Sequence, residues 1–341
     1  MPFVLLTGAG FSRNWGGWLA AEAFEYLLGC PELDGHLRRL LWNSKNAGGG
    51  FEDALAQLQE AHNLQKSAQT EKPLRDLQDA LISMFNSMNR SFHLTNFEPQ
   101  DDVISKTRDT DYKNRTVRNF LGKFDAIFTL NQDLLLERHY FDNDFPFTQS
   151  GRWRGSQFPG MKRRSGSKLI IDAPTAKVGQ FAPDKNNIAV YDGMQPYFKL
   201  HGSSNWVNDN EGKDQPMLIM GGNKALEIRR YPVLNWYHQK FKDCLSGYNV
   251  RLMVIGYSFG DHHINEAIVK AAENGKMRLF IIDPNGVDVL DKQNPRNPIR
   301  VTPPLQEQLG PYIVGASRRS LTGIFGNDQV EHTKIMQFFV G

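Results

Sequence analysis

Apolar residues follow two rhythms along this chain. Short, mainly apolar runs occupy residues 3–7, 124–130, 197–200, 251–255 and 278–282. Each run is too short for a stable helix and stops at glycine or polar residues, the pattern of a strand buried on both faces. Elsewhere the apolar positions recur with a helical period. Phe51, Leu55, Leu58 and His62 fall on one stripe, and Leu74, Leu77, Leu81, Phe85, Met88 and Phe92 on another. Helices are also predicted over residues 226–245, 261–274 and 329–338, and Gly48-Gly49-Gly50 breaks the first helical region. Strands alternating with helices predict an α/β fold: a Rossmann-like parallel sheet with helices on both faces, plus a helical insertion.

The same pattern divides the chain. Residues 1–15, 96–140 and 196–300 are assigned to the sheet-forming core, and residues 16–95 to the helical insertion. Periodicity is lost over residues 141–195, where Gly, Pro, Asn and basic side chains accumulate. That stretch is expected to be an irregular basic loop insertion with one hairpin at most. Residues 301–341 form a C-terminal segment, and neither an internal repeat nor a low-complexity tract occurs.

Composition changes this picture little. Hydrophobic residues make up 40% of the 341 and charged residues 23%, as in ordinary globular proteins. A net charge of +3 argues against a dedicated nucleic-acid coat but leaves room for a local basic surface. Two cysteines, Cys30 and Cys244, make neither a disulfide framework nor a C-x-x-C zinc ribbon, and they point to a reducing compartment. The start Met1-Pro2-Phe3-Val4 lacks the basic and long apolar stretches of a signal peptide, and no apolar run reaches membrane-spanning length. A soluble, cytoplasmic protein without a membrane partner is therefore expected.

Candidate chemistry collects where apolar runs end. Gly8-Ala9-Gly10-Phe11-Ser12 follows the first run, Asn131-Gln132-Asp133 the second, His201-Gly202-Ser203 the third and Gly256-Tyr257-Ser258-Phe259-Gly260-Asp261 the fourth. In an open parallel sheet ligands bind beyond the carboxyl ends of the strands, so these segments are expected to share one site. Each has an ordinary structural reading as well. Glycines in a strand–helix turn serve geometry as often as phosphate binding. Asn131 and Asp133 suit an Asx turn, and a lone His201 suits a capped loop. The acidic ribose reader of a plain dehydrogenase, at the end of a second strand about twenty residues after the glycines, is absent.

As an ordered set, Thr7-Gly8-Ala9-Gly10-Phe11-Ser12, Thr129-Leu130-Asn131-Gln132-Asp133, Lys199-Leu200-His201-Gly202-Ser203 and Gly256-Tyr257-Ser258-Phe259-Gly260-Asp261 resemble the sirtuin-like family. The string from Gly256 to Asn265 resembles its bacterial antiphage-defence branch. The resemblance spans residues 1 to about 285, insertions apart. It implies NAD+ as substrate, with Gly8, Ala9, Gly10, Phe11 and Ser12 around the phosphates. It implies Asn131 beside the reacting ribose carbon, Asp133 on nicotinamide and His201 as catalytic base. Gly256 and Ser258 would lie near the phosphates and the adenine-side ribose. Asp283 stands where sirtuins usually have an asparagine reading that ribose; its carboxylate would repel a 2′-phosphate and favour NAD+ over NADP.

Departures from the sirtuin pattern narrow the activity. Two distant cysteines cannot build the four-cysteine zinc module of the deacylases, so no zinc is expected there. The Gly-Ile-Pro-Asp-Phe-Arg stretch of those enzymes is replaced by Arg13-Asn14-Trp15-Gly16-Gly17. The resemblance thus implies an NAD+ hydrolase that releases nicotinamide and ADP-ribose, acting in bacterial antiphage defence. It also implies a homo-oligomer or a HerA-type ATPase partner. An NAD+-dependent deacylase or ADP-ribosyltransferase, and a non-catalytic NAD+ or ADP-ribose sensor, are the alternatives. His262 and His263 are adjacent at a helix start and are expected to point different ways, so no metal site is assigned to them. Arg152, Arg154, Lys162, Arg163, Arg164 and Lys168, with Trp153 and Phe158 between them, are read chiefly as a solvated loop; nucleic acid or an acidic partner surface is the minority reading.

Overall fold

The computed structural model describes residues 2–99, 115–141, 152–164, 179–184, 186–208, 215–221, 224–275, 277–291 and 303–340. Its centre is a seven-stranded sheet in the order β11-β10-β9-β1-β2-β6-β3, parallel throughout. The strands are β1 (Phe3–Thr7), β2 (Ala126–Thr129), β3 (Gly155–Gln157), β6 (Met194–Lys199), β9 (Arg251–Ile255), β10 (Arg278–Ile282) and β11 (Ile313–Ser317). With the short edge strand β3 set aside, β6-β2-β1-β9-β10-β11 is the 3-2-1-4-5-6 order of a doubly wound dinucleotide-binding sheet. The chain reverses direction across the sheet between β1 and β9, which opens a crevice at their carboxyl ends.

Alternation along the strands builds a core on each face. Leu5, Ile127, Tyr197, Met253 and Phe280 pack on one side, against α2 (Ala20–Leu28), α3 (Gly35–Asn46), α4 (Phe51–Leu64) and α5 (Ala68–Ser91). Val4, Leu6, Phe128, Phe198, Leu252 and Ile281 pack on the other, against α8 (Pro232–Leu245) and α9 (His262–Gly275). The strand registers are level: Thr7 pairs with both Thr129 and Ile255, Thr129 with Lys199, and Ile255 with Ile282. The residues that follow these positions therefore emerge along one edge.

The helical region expected over residues 16–95 resolves into α2 to α5, with the triple-glycine break between α3 and α4. The stretch expected as one helix over residues 226–245 is two, α7 (Lys224–Arg230) and α8. Pro232 opens α8 at its first turn, where its missing N–H is harmless and its ring prevents continuation from α7. Two further helices, α1 (Ala9–Arg13) and α6 (Val117–Leu121), follow β1 and precede β2. The C-terminal segment carries α10 (Leu305–Leu309), α11 (Leu321–Phe325) and α12 (Gln329–Met336), and its strand β11 completes the sheet edge beside β10.

Sequence periodicity misses the second sheet, ordered β4-β5-β7-β8 and made of β4 (Met161–Arg163), β5 (Phe181–Pro183), β7 (Gly202–Asn208) and β8 (Gln215–Leu218). Three-residue strands such as β3, β4 and β5 are too short to show an alternation, and β7 is rich in Ser and Asn. Within the basic stretch, Arg152 pairs with Asp125 and the Trp153 indole N–H donates to the Gly122 carbonyl at 2.9 Å, so these residues fasten the stretch to the core. Lys168 lies outside the described residues. Among the described residues no helix is long and apolar enough to cross a membrane.

Candidate active site

Four strand ends meet at the sheet's carboxyl edge. At its centre the Thr7 hydroxyl donates to the Thr129 hydroxyl at 2.7 Å, joining the ends of β1 and β2. The Thr129 hydroxyl also receives the Asn131 backbone N–H at 3.0 Å. This turns the chain so that the Asn131 side chain reaches across to α1, where its Nδ2 donates to Ser12 Oγ at 2.9 Å. Ser12 and Asn131 are buried, and among the described residues the Asn131 carbonyl oxygen takes no partner. The amide is thus anchored by its nitrogen, with its oxygen left for a ligand or a water.

The glycines of the first loop answer to their neighbours. A Cβ on Gly8 would stand 2.7 Å from the Gly256 carbonyl oxygen, and one on Gly10 would stand 2.6 Å from the Gly256 Cα. Gly256 itself has φ of 62° and leaves 2.3 Å for a Cβ against the Gly10 carbonyl carbon. Backbone N–H groups of Gly8 and Gly10 donate to the carbonyls of Ile255 and Gly256 at 3.0 and 2.9 Å. Two loops from neighbouring strands therefore lie in direct backbone contact, which only glycine permits. Ala9 is exposed between them and Phe11 is buried beneath.

Beyond Gly256 the loop is held by its own polar residues. The Tyr257 hydroxyl is within 2.9 Å of Asn265 Oδ1 and accepts the Asp261 backbone N–H at 3.0 Å, while Asn265 Nδ2 donates to the Phe259 carbonyl at 2.7 Å. These bonds hold Phe259 at φ of 55°, rare for a bulky residue, and leave Ser258 half-buried. Asp133 Oδ1 accepts the Leu135 N–H at 3.0 Å, and Asp283 Oδ1 accepts the Asn285 N–H at 2.8 Å. Both carboxylates thus close Asx turns at buried strand ends. Asp283, at the end of β10, lies two strands from β1.

His201 sits at the end of β6, and its carbonyl receives the side-chain amide of Gln132 at 3.0 Å. Gln132 also donates to the Ile219 carbonyl at 2.7 Å, so it ties the ends of β2, β6 and β8 together. The His201 ring faces inward and its Nε2 lies 3.5 Å from Nε2 of His263, on the first turn of α9. A third ring, His238 of α8, stacks 6.3 Å from His201. Burial drives the His201 pKa well below the usual imidazole range. Lys224 and the two neighbouring rings act in the same direction, and Asp261 opposes them. The imidazole is accordingly neutral at pH 7, with a lone pair to offer.

Charged groups around His201 form a chain. Lys224 Nζ lies 3.0 Å from Asp261 Oδ1 and 2.8 Å from a Glu52 carboxylate oxygen on α4. Burial works to raise the Asp261 pKa, but the His201 and Lys224 partners hold it below its ordinary value. A separate buried pair lies under Asp133: Lys199 Nζ is 2.5 Å from Glu137 Oε1 and 2.5 Å from the Asp133 carbonyl. The structure thus gathers Ser12, Asn131 and the Gly8 and Gly256 loops into contact and sets His201 on the next strand end. Gln132, Tyr257, His238 and Lys224 were not singled out from the sequence. Nothing in a lone tyrosine, lysine or helix histidine marks its partner.

No curated protein matches the chain. The family model of the SIR2-like domain matches residues 125–302, from β2 past the end of β10. That span holds the Asn131, His201 and Gly256 segments, and it covers more than half of the chain. By this match over more than half of its length, the protein belongs to the SIR2-like domain family, whose members use NAD+.

Proposed function

We propose that this chain is an NAD+ hydrolase, cleaving the nicotinamide–ribose bond to give nicotinamide and ADP-ribose. One observation carries the reading. A neutral, buried imidazole and an amide with a free carbonyl oxygen stand at neighbouring strand ends, beside the crevice where a doubly wound sheet receives a dinucleotide. In the proposed reaction the C1′–N bond breaks with its electron pair going to nicotinamide. The pyridinium is already cationic, so its departure requires no general acid. Asn131 Oδ1 orients a water at C1′, and His201 accepts the proton of that water or of a ribose hydroxyl. The Gly8–Ser12 and Gly256–Ser258 loops flank the diphosphate, Asp133 receives the carboxamide N–H, and Asp283 reads the adenine-side ribose.

Water is the proposed acceptor because the four-cysteine module that shapes an acyl-peptide cleft cannot be built. Cys30 lies just after α2 and Cys244 in α8, and both are free thiols. A regulated role as an effector of bacterial antiphage defence, through self-assembly or a HerA-type ATPase, belongs to the same proposal. The decisive test follows nicotinamide and ADP-ribose by chromatography from pure protein, with and without candidate partners. His201→Ala is expected to lose at least about 100-fold in kcat while NAD+ still binds. NAD+ binding without turnover under every activating condition would refute the hydrolase. Turnover only with an acyl-lysine peptide would replace it by a deacylase.

A further inference from the structure

His201, His238 and His263 come from three distant parts of the chain and meet under the site. One ring nitrogen of each lies within 4.8 Å of the other two. His201 Nε2 and His263 Nε2 are 3.5 Å apart. Two imidazole nitrogens on one tetrahedral zinc ion stand about 3.4 Å apart, given zinc–nitrogen bonds of about 2.05 Å. His238 Nε2 lies 2.9 Å from the Leu200 carbonyl oxygen. Donation to that carbonyl fixes the tautomer and leaves Nδ1 bare, which is how a backbone acceptor usually orients a metal-binding histidine. The charges nearby suit a cation: Glu52 and Asp261 carry two negative charges against the single positive charge of Lys224.

We infer that these three histidines form a binding site for a divalent transition-metal ion of the zinc type, and that the bound ion takes His201 out of use as a base. The three rings are neutral nitrogen donors, a set that favours zinc, copper or nickel over magnesium or calcium. Three histidines leave a fourth position for water. The inhibitory consequence rests on the proposed role of His201; the binding site does not. An ion on Nε2 occupies the lone pair that proton transfer from water would need, so metal binding and hydrolysis become mutually exclusive at that atom.

Calorimetric titration of chelator-treated full-length protein with Zn2+, paired with the visible absorption of the Co2+ form, tests the site without any turnover. One ion per chain and the intense absorption of four-coordinate Co2+ are expected. His238→Gln keeps a donor for the Leu200 carbonyl and His263→Gln changes a half-exposed ring, and each is expected to weaken Zn2+ binding by more than 100-fold or so, beyond the loss seen for outer-shell changes. His263→Gln decides the matter if His238→Gln fails to fold. Absence of a stoichiometric site, or a site indifferent to both substitutions, would overturn the inference. In the hydrolase assay, one equivalent of Zn2+ is expected to suppress turnover at least 10-fold or so, with recovery on adding EDTA. Zn2+ that binds but leaves turnover unchanged refutes the inhibitory role. Metal-free protein that binds Zn2+ yet never cleaves NAD+ refutes the hydrolase and keeps the site.

Discussion

At the scale of single residues, the site depends on how polar side chains are fixed. Asn131 is not free to rotate, because its amide nitrogen is spent on Ser12. Ser12→Ala removes that anchor while leaving every other site residue in place. It is expected to lower kcat roughly 10- to 100-fold with little change in NAD+ affinity, measured by steady-state kinetics beside a binding isotherm. An equal loss in affinity would assign Ser12 to ligand binding instead. Asn131 and His201 were legible in the sequence because each stands directly after a buried apolar run, and such positions face the crevice of a parallel sheet. His238 was not legible. It lies mid-helix among apolar neighbours, and only packing reveals that its ring turns toward a strand end.

At the scale of elements, two backbone loops touch, and a separate buried ion pair ties β6 to the segment after β2. Gly256→Ala would force a Cβ into the Gly10 backbone at a positive φ. Since the neighbour is backbone rather than a mobile side chain, a loss of at least about 2 kcal/mol in unfolding free energy is expected by denaturant titration. The pair Lys199–Glu137 lies fully inside, between β6 and the segment after β2. Lys199→Met leaves the Glu137 carboxylate without its partner and is expected to destabilise the fold by about 3–5 kcal/mol. The double change Lys199→Met with Glu137→Leu is expected to recover most of that loss. An additive double mutant would show that the two side chains are not coupled. β1, β9 and β10 could be located residue by residue because each is a five-residue, mainly apolar run, too short for a helix and closed by glycine or polar residues. β7 and β11 escaped detection, since polar Ser203, Ser204 and Asn205 and small Gly315 and Ala316 break the apolar signal. The Phe280 ring covers Gly315 instead.

At the scale of the whole molecule, the helical region is wired to the site. Glu52 on α4 holds Lys224, and Lys224 holds Asp261 beside His201. The C-terminal helices pack into the same core through Leu321, Ile324, Phe325 and Ile335, and Phe325 packs on His332. Burial, with Arg115 and Lys123 adding to it, pushes the His332 pKa down from 6.5 to about 4. The unfolded chain therefore binds a proton that the folded chain refuses as the pH falls from 6.5 to about 4, and stability declines across that window. Thermal melts are expected to show His332→Gln losing less stability than the parent between those pH values. A parallel decline in both would place the acid sensitivity elsewhere.

The linear order of residues by itself determined which segments are strands at the sheet centre, which residues follow them, and that the cysteines cannot hold a four-cysteine zinc site. Those properties are local: they depend on apolar run length, on punctuation by glycine and on residue counts. Only the tertiary structure decided which strand lies beside which, that Ser12 meets Asn131, and that His201, His238 and His263 converge. Such contacts arise between residues far apart in the chain, and their distances follow from strand register and helix packing, for which no single segment carries a signature.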